Sequence, residues 1–439
     1  MPKISLDWIV QWDRSITFPT LTERLFAEGL GLQELIEVLC SRDEELCLGL
    51  CGPRYHPTNS RYRRAGTRWK TLGCRFGRFR IKVSRVQDNW TGRTFVPLWK
   101  DIIIEPLKIY QKDIIALSSG HAERMTYRDS KDRLDRFVLG GPSPRTINRR
   151  VIEYGTELSD AIHERELEAM THQPDGTKVH AQGPGKRKHD VNIVLATNEG
   201  KEPRLRALTV GRPWRDIRAP LERTTFRNRA GQPIPPTVMS DLERGLAELM
   251  TPENGYWLPC LVHVVKNTGF SLWEDGLSMS DEKKRIVGTV NGLLAHLRNS
   301  LECHLPKGER TAVEHRIRQT TKEFRRLATI LHDRGFFKTA RFLREISNAV
   351  TTFAVLALQG IKVPWHNNRI ERLMGEVSKR FKHKWMSWTE KGAQSLLTLL
   401  VVRIIEPSVY RTFWNQKLYG FPNQMADMGV QVTRLRSEV

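Results

Sequence analysis

The sequence predicts an α/β protein: a mixed five-stranded sheet with flanking helices, interrupted by an all-helical insertion and preceded by a mostly helical region that carries a basic β-hairpin. Three observations lead there. Residues 171–260 contain five strand-like stretches, residues 280–358 read as long charged helices, and residues 53–87 carry eleven Lys or Arg and no Asp or Glu. The 439 residues suffice for two or three hydrophobic cores.

Taken in order, residues 1–52 form an N-terminal helical region, with Leu21, Leu25, Leu30, Leu32, Leu35, Ile36 and Leu39 at helical spacing. Residues 53–105 hold the hairpin. There the alternation Arg78-Phe79-Arg80-Ile81-Lys82-Val83 has period two, and Gly77 offers a turn. Residues 106–165 read as a helix-turn-helix. One helix runs to Leu139, Gly140-Gly141-Pro142 breaks it, and Ser143-Pro144 caps and opens the next. Residues 166–279 supply the strands at 171–182, 190–200, 204–212 and 235–241, with a helix at 214–228. The run from Tyr256 to Cys260, continuing into Leu261-Val262-His263-Val264-Val265, makes a fifth strand. Helix follows Asp241 at 242–250. Residues 280–360 form the insertion, 361–410 the closing helices, and 411–439 a C-terminal tail.

Charge points to the partner. There are 71 Lys and Arg against 49 Asp and Glu, a net +22, and a chain this basic is expected to meet a polyanion, nucleic acid first. Arg61, Arg63, Arg64, Arg68, Lys70, Arg78, Arg80 and Lys82 in the hairpin are expected to hold phosphates of double-stranded DNA. Arg145, Asn148, Arg149 and Arg150 in the second helix of the helix-turn-helix would enter a major groove. The N-terminus has no apolar core of a signal peptide. The most apolar run, 395–405, contains Arg403 and is shorter than a membrane span, so no membrane partner is expected. Together these predict a cytoplasmic, nucleoid-associated protein, and six cysteines in such a compartment are thiols.

Strand, strand, strand, helix, strand, then helices is the skeleton of the RNase H-like fold. In it, catalytic carboxylates sit in the middle of the first strand, at the end of the fourth and on a later helix. Asp175, Asp241 and Glu371 occupy those places. Phosphoryl transfer needs two oxygens held in line with their charge neutralised, and two Mg²⁺ or Mn²⁺ ions bound by carboxylates meet that need. Asp190 and Asp216 compete with Asp241. Glu376 competes with Glu371 and points about 140° around the helix from it.

The sequence resembles insertion-sequence transposases of the Mutator-like group, within the DDE superfamily. Asp175-Gly176 matches the first acidic motif, and Asp241 before Leu242-Glu243-Arg244-Gly245 the second. Cys260-Leu261-Val262-His263 matches the C-x-x-H that the group places after the second acid. Asn368-Arg369-Ile370-Glu371-Arg372 matches the third acidic motif, with Trp385-Met386-Ser387-Trp388 beyond it. The resemblance covers about 175–400, including the helical insertion. It implies metal-dependent cutting at element ends, attack of the freed 3′-hydroxyl on target DNA, and a homodimer or higher oligomer on DNA. It makes Cys260, His263, Asn368 and Arg372 supporting residues of the site, with Lys266, Lys379 and Arg380 near phosphates.

Zinc is disfavoured on the sequence. On a strand, residues three apart face opposite ways, so Cys260 and His263 would not chelate together. Cys47, Cys51, His56 and Cys74 match a zinc pattern poorly. Trp365, Trp385 and Trp388 are expected to pack in the core, or else to stack on an unpaired base. Two alternatives stay open: a helix-turn-helix regulator without catalysis, and an RNase H-like nuclease that cuts without joining.

Overall fold

The structure, a computed structural model, describes residues 8–12, 15–53, 61–105, 107–182, 188–198, 200–227, 231, 233–234, 236–242, 246, 255–278, 280–381, 387–420 and 430–434. The expectations on His56, on 243–245 and most of the following helix, and on Trp385-Met386 lie outside the described residues. The chain divides into two compact units, Met1–Tyr154 with Pro407–Val439, and Gly155–Glu406.

In the first unit, the helix Phe18–Ala27 starts where Thr17 Oγ1 accepts the backbone N–H of Thr20 at 3.2 Å, with Pro19 in the first turn. The helix Leu32–Cys51 buries Leu35, Val38 and Leu39. The hairpin is longer than its sequence signal. Tyr62–Cys74 pairs antiparallel with Gly77–Asp88, and Cys74 opposite Gly77 leaves Arg75-Phe76 as a two-residue turn. Gly77 has φ 134, open to glycine and strained for other residues. Phe79, Ile81 and Val83 are buried, while Arg78, Arg80 and Lys82 point outward. Helices Lys112–Ala122 and Tyr127–Leu134 follow, and the second stops five residues short of the expected Leu139. The helix Pro144–Glu164, whose residues up to Tyr154 belong to this unit, is capped as expected, with Ser143 Oγ accepting the Thr146 N–H at 3.3 Å. The segment 411–439 is no mere tail. It completes the helix Pro407–Tyr419, and Val430–Arg434 pairs antiparallel with Trp8–Trp12.

In the second unit, a five-stranded mixed sheet contains, in chain order, β1 (Thr171–His180), β2 (Lys188–Thr197), β3 (Arg204–Val210), β4 (Thr237–Ser240) and β5 (Trp257–Pro259). Across the sheet they run β3-β2-β1-β4-β5. β2 runs antiparallel to both of its neighbours, β1 and β3, and β4 is parallel to β1 and β5. Two expectations need correction. Residues 214–228 are not one helix: a 3₁₀ turn, Trp214–Ile217, and a short helix, Arg218–Glu222, give way to a strand at Thr224–Arg227, where Thr224, Thr225 and Phe226 prefer extended backbone. The fifth strand is three residues long, and 261–265 begin the helix Leu261–Glu274. An apolar run of that length serves strand or helix equally.

The insertion comprises Asp281–His304, Arg310–Asp333, Phe337–Ile346 and Thr352–Leu358. Its core includes fully buried Leu297, Phe324, Leu331, Leu343 and Val350. Asp275 caps the third of these helices from outside, accepting the N–H groups of Lys338 at 2.9 Å and Thr339 at 2.8 Å. Asn368–Phe381 packs beside β1, and Glu390–Ile405 beside β3.

Candidate active site

Two of the expected carboxylates lie on the continuation of one strand register. β1 and β4 pair in parallel as Thr171 with Thr237 and His172 with Val238. Continued by three residues, this register sets Asp241 opposite Asp175, on strands about 4.8 Å apart. Residues at equal register on parallel strands face the same way, so the continued register assigns Asp175 and Asp241 to one face. Gln173 shares that face, and its Nε2 donates to the His366 carbonyl at 3.5 Å. The face therefore looks toward the segment that leads into the Asn368 helix. Asp241 and Asp175 are both half-buried. The chain turns immediately after Asp241: Leu242 has φ 76, the only left-handed non-glycine among the described residues. For a branched side chain that conformation costs on the order of 1–3 kcal/mol, and such strain concentrates at functional sites.

Glu371 lies in the first turn of Asn368–Phe381 and is exposed. His263 Nδ1 stands 3.5 Å from Glu371 Oε1 and makes no hydrogen bond. Cys260 is fully buried beside them. One donor atom from each of Cys260, His263 and Glu371 lies within 4.8 Å of the others, which makes them the one such cluster among the described residues. Asp175 and Asp241 are outside it. The strand-based reading of the Cys-x-x-His pair is thus overturned. Cys260 is the N-cap of Leu261–Glu274 and His263 is its third residue, so a helical turn carries both to one side. The cap is anchored on the five-stranded sheet, because the Cys260 N–H donates to Ser240 O at 3.0 Å, next to Asp241. The Leu261 N–H donates to Trp365 O at 3.0 Å. Burial pushes the Cys260 thiol up, opposed by the backbone N–H groups of His263, Asn367 and Val262, and the Glu371 carboxylate pushes it further up. Burial likewise lowers His366.

The rival carboxylates fit worse. Asp190 pairs in register with Lys178, on the face of β1 opposite Asp175, and its carboxylate lies 3.4 Å from Lys178 Nζ. Asp216 belongs to the turn at Trp214, whose ring packs near Gly176 on that same far face. Glu376 is held by Lys379 at 2.6 Å.

The expected DNA contacts divide. Arg78, Arg80 and Lys82 form an outward row, and Trp69, 59% exposed, stands opposite Lys82 with Arg80 over its ring at 5.1 Å. Arg63 and Arg68 are exposed, Arg63 donating to Gln87 Oε1 at 2.8 Å. Arg61 pairs with Asp88 at 3.3 Å and stacks on Trp90 at 4.5 Å. Arg64 and Lys70 turn the other way. Arg64 sits opposite buried Val86 and reaches Gly52 O, and Lys70 sits opposite buried Ile81 and donates to Lys108 O at 3.3 Å. Arg145, Asn148 and Arg149 line one surface hollow with Tyr127. Two expectations fail on burial. Arg150 is 5% exposed and bound to Glu153 at 2.5 Å, and Arg380 is 6% exposed, stacked over Trp388 at 5.2 Å. Both serve the interior. Trp388 is buried, as expected of a core residue. Arg372 is exposed, and Asn368 is half-buried. Lys266, exposed one turn after His263, shares its side of the helix. Sequence reasoning missed Gln173 and Asn367, buried amides beside the site that no motif distinguishes.

No described helix is long and apolar enough to cross a membrane. No protein-family model matches the chain, and no curated protein matches it.

Proposed function

We propose that this chain is a DDE transposase of the Mutator-like group, with an RNase H-like catalytic domain, acting on DNA in the nucleoid as a dimer or higher assembly. One observation supports the reading: β1 and β4 pair in parallel at Thr171–Thr237 and His172–Val238, a register whose continuation makes Asp175 and Asp241 neighbours, and the helix that carries Glu371 packs beside β1. The order β3-β2-β1-β4-β5 agrees with an RNase H-like core. The donor set fits hard divalent ions, because Asp175, Asp241 and Glu371 offer only oxygens. Mg²⁺ or Mn²⁺ held there would activate a water or 3′-hydroxyl and neutralise charge on the scissile phosphate. The chain's own residues do the rest. Lys266 and Arg372 steer the phosphodiester toward the carboxylates, Asp241 is fixed by the strained turn at Leu242, and the outward hairpin row grips phosphates.

The test uses purified protein, Mg²⁺, DNA from the flanks of the reading frame and a supercoiled target. Element ends joined to target are expected. Cuts without joined products would replace this reading with a nuclease. Binding without cuts would replace it with a regulator.

A further inference from the structure

We infer that Cys260, His263 and Glu371 form a binding site for one thiophilic divalent cation, of which zinc is the type, and that occupancy of this site withholds Glu371 from the catalytic pair. The metal half of the inference is independent of the proposed function; the inhibitory half rests on it.

A soft sulfur, an imidazole nitrogen and a carboxylate oxygen lie within 4.8 Å of one another. Around a tetrahedral zinc, with bonds of about 2.0–2.3 Å, ligand atoms stand about 3.5 Å apart. His263 Nδ1 and Glu371 Oε1 are already at 3.5 Å, so closing the set takes shifts of about 1 Å. His263 Nδ1 is buried and has no hydrogen bond, an arrangement that normally calls for a partner. The two residues from one helix turn are held rigidly, because the Cys260 and Leu261 N–H groups are bonded to Ser240 O and Trp365 O. Three protein ligands leave a fourth position for water. Mg²⁺ is a poor occupant, since it avoids sulfur and prefers six oxygens.

The consequence follows from Glu371 being shared. Its carboxylate lies in the cluster with Cys260 and His263, to which Asp175 and Asp241 do not belong. Glu371 is an exposed side chain in the first helical turn, and the inference has it change rotamer between the two groups. A thiophilic ion holds it on the Cys–His side.

The full-length protein is titrated with Co²⁺ as a spectroscopic probe. Wild type is expected to develop a thiolate-to-cobalt charge-transfer band at one equivalent, which Zn²⁺ bleaches and excess Mg²⁺ leaves intact. The band should vanish in Cys260→Ser. It should require roughly tenfold or more cobalt in His263→Ala and in Glu371→Gln, the latter an exposed position whose change spares the fold. No band, or a band that survives Cys260→Ser through the exposed thiols Cys40 and Cys303, overturns the site. In the cutting assay, micromolar Zn²⁺ should slow the Mg²⁺-dependent reaction; a bound ion without slowing overturns the inhibitory half. Failure of wild type to cut in Mg²⁺ alone counts against the proposed function and leaves the cobalt result standing.

Discussion

Gly155→Ala sets two physical effects against each other. Gly155 lies inside the helix Pro144–Glu164, where alanine is favoured over glycine by about 1 kcal/mol. Propensity alone therefore predicts stabilisation. Packing predicts the opposite: a Cβ at this position would stand 2.3 Å from Ser395 O and 2.6 Å from Ser395 C and Cβ. Comfortable contact needs about 3.5 Å, so the backbones must part by about 1 Å. No rotamer change relieves the clash, because the obstacle is a carbonyl in the helix Glu390–Ile405. That helix is pinned by buried Leu396, Leu397, Leu399 and Leu400, and Gln394 Nε2 donates to Leu208 O on β3 at 2.6 Å. The shift also stretches the 3.3 Å contact between Thr156 Oγ1 and Ser395 Oγ. Overpacking of this kind costs about 3 kcal/mol, the upper end of its usual range. Subtracting the propensity gain leaves a net loss of about 2 kcal/mol. Urea denaturation, followed by far-UV circular dichroism and by tryptophan fluorescence, measures it. A neutral or stabilised Gly155→Ala would refute the packing argument.

Three further outcomes follow from the same geometry. His172 is fully buried, and burial, with Arg206 nearby, pushes it down to about 3. In the unfolded chain a histidine accepts a proton below about 6.5, so stability is full above that pH and falls by up to about 1.4 kcal/mol per unit as pH drops from 6.5 toward 3; equal urea midpoints at pH 7.5 and pH 5 would contradict this. Glu406 is 5% exposed, accepts from Arg165 Nη2 and Nη1 at 2.7 and 2.8 Å and from the Leu205 N–H at 2.9 Å, and Glu406→Gln should cost about 3 kcal/mol in the same denaturation assay. Replacing Arg78, Arg80 and Lys82 together by Ala should flatten the salt dependence of duplex-DNA binding by up to about 0.9 per lost contact, whereas Arg64→Ala leaves the slope unchanged.

What was legible in the sequence depended on how local its cause is. The hairpin showed itself because Arg78 to Val83 alternate on one strand, and the cap at Ser143 because Ser-Pro is a helix start. The strands around Asp175 and before Asp241 showed themselves because each is a short run of strand-forming residues. Features that need a distant partner were not legible: the strand Val430–Arg434 exists through Trp8–Trp12, and the inward turn of Lys70 depends on bulge and register. Arg150 and Arg380 looked like surface charge because the sequence shows a cation but not the packing that leaves them 5% and 6% exposed. The Cys260–His263 pair was misread for a narrower reason. Strand and helix spacings give opposite answers for residues three apart, and the strand ends one residue before Cys260.

The central claim is that Asp175, Asp241 and Glu371 act as one set. Strand transfer by wild type is measured beside Asp175→Ala, Asp241→Ala and Glu371→Ala, with DNA affinity determined for each. The account predicts that every variant binds DNA as wild type does and joins ends slower by roughly a thousandfold or more, about 4 kcal/mol of barrier. Joining that survives the loss of Asp241 or Glu371 would contradict it.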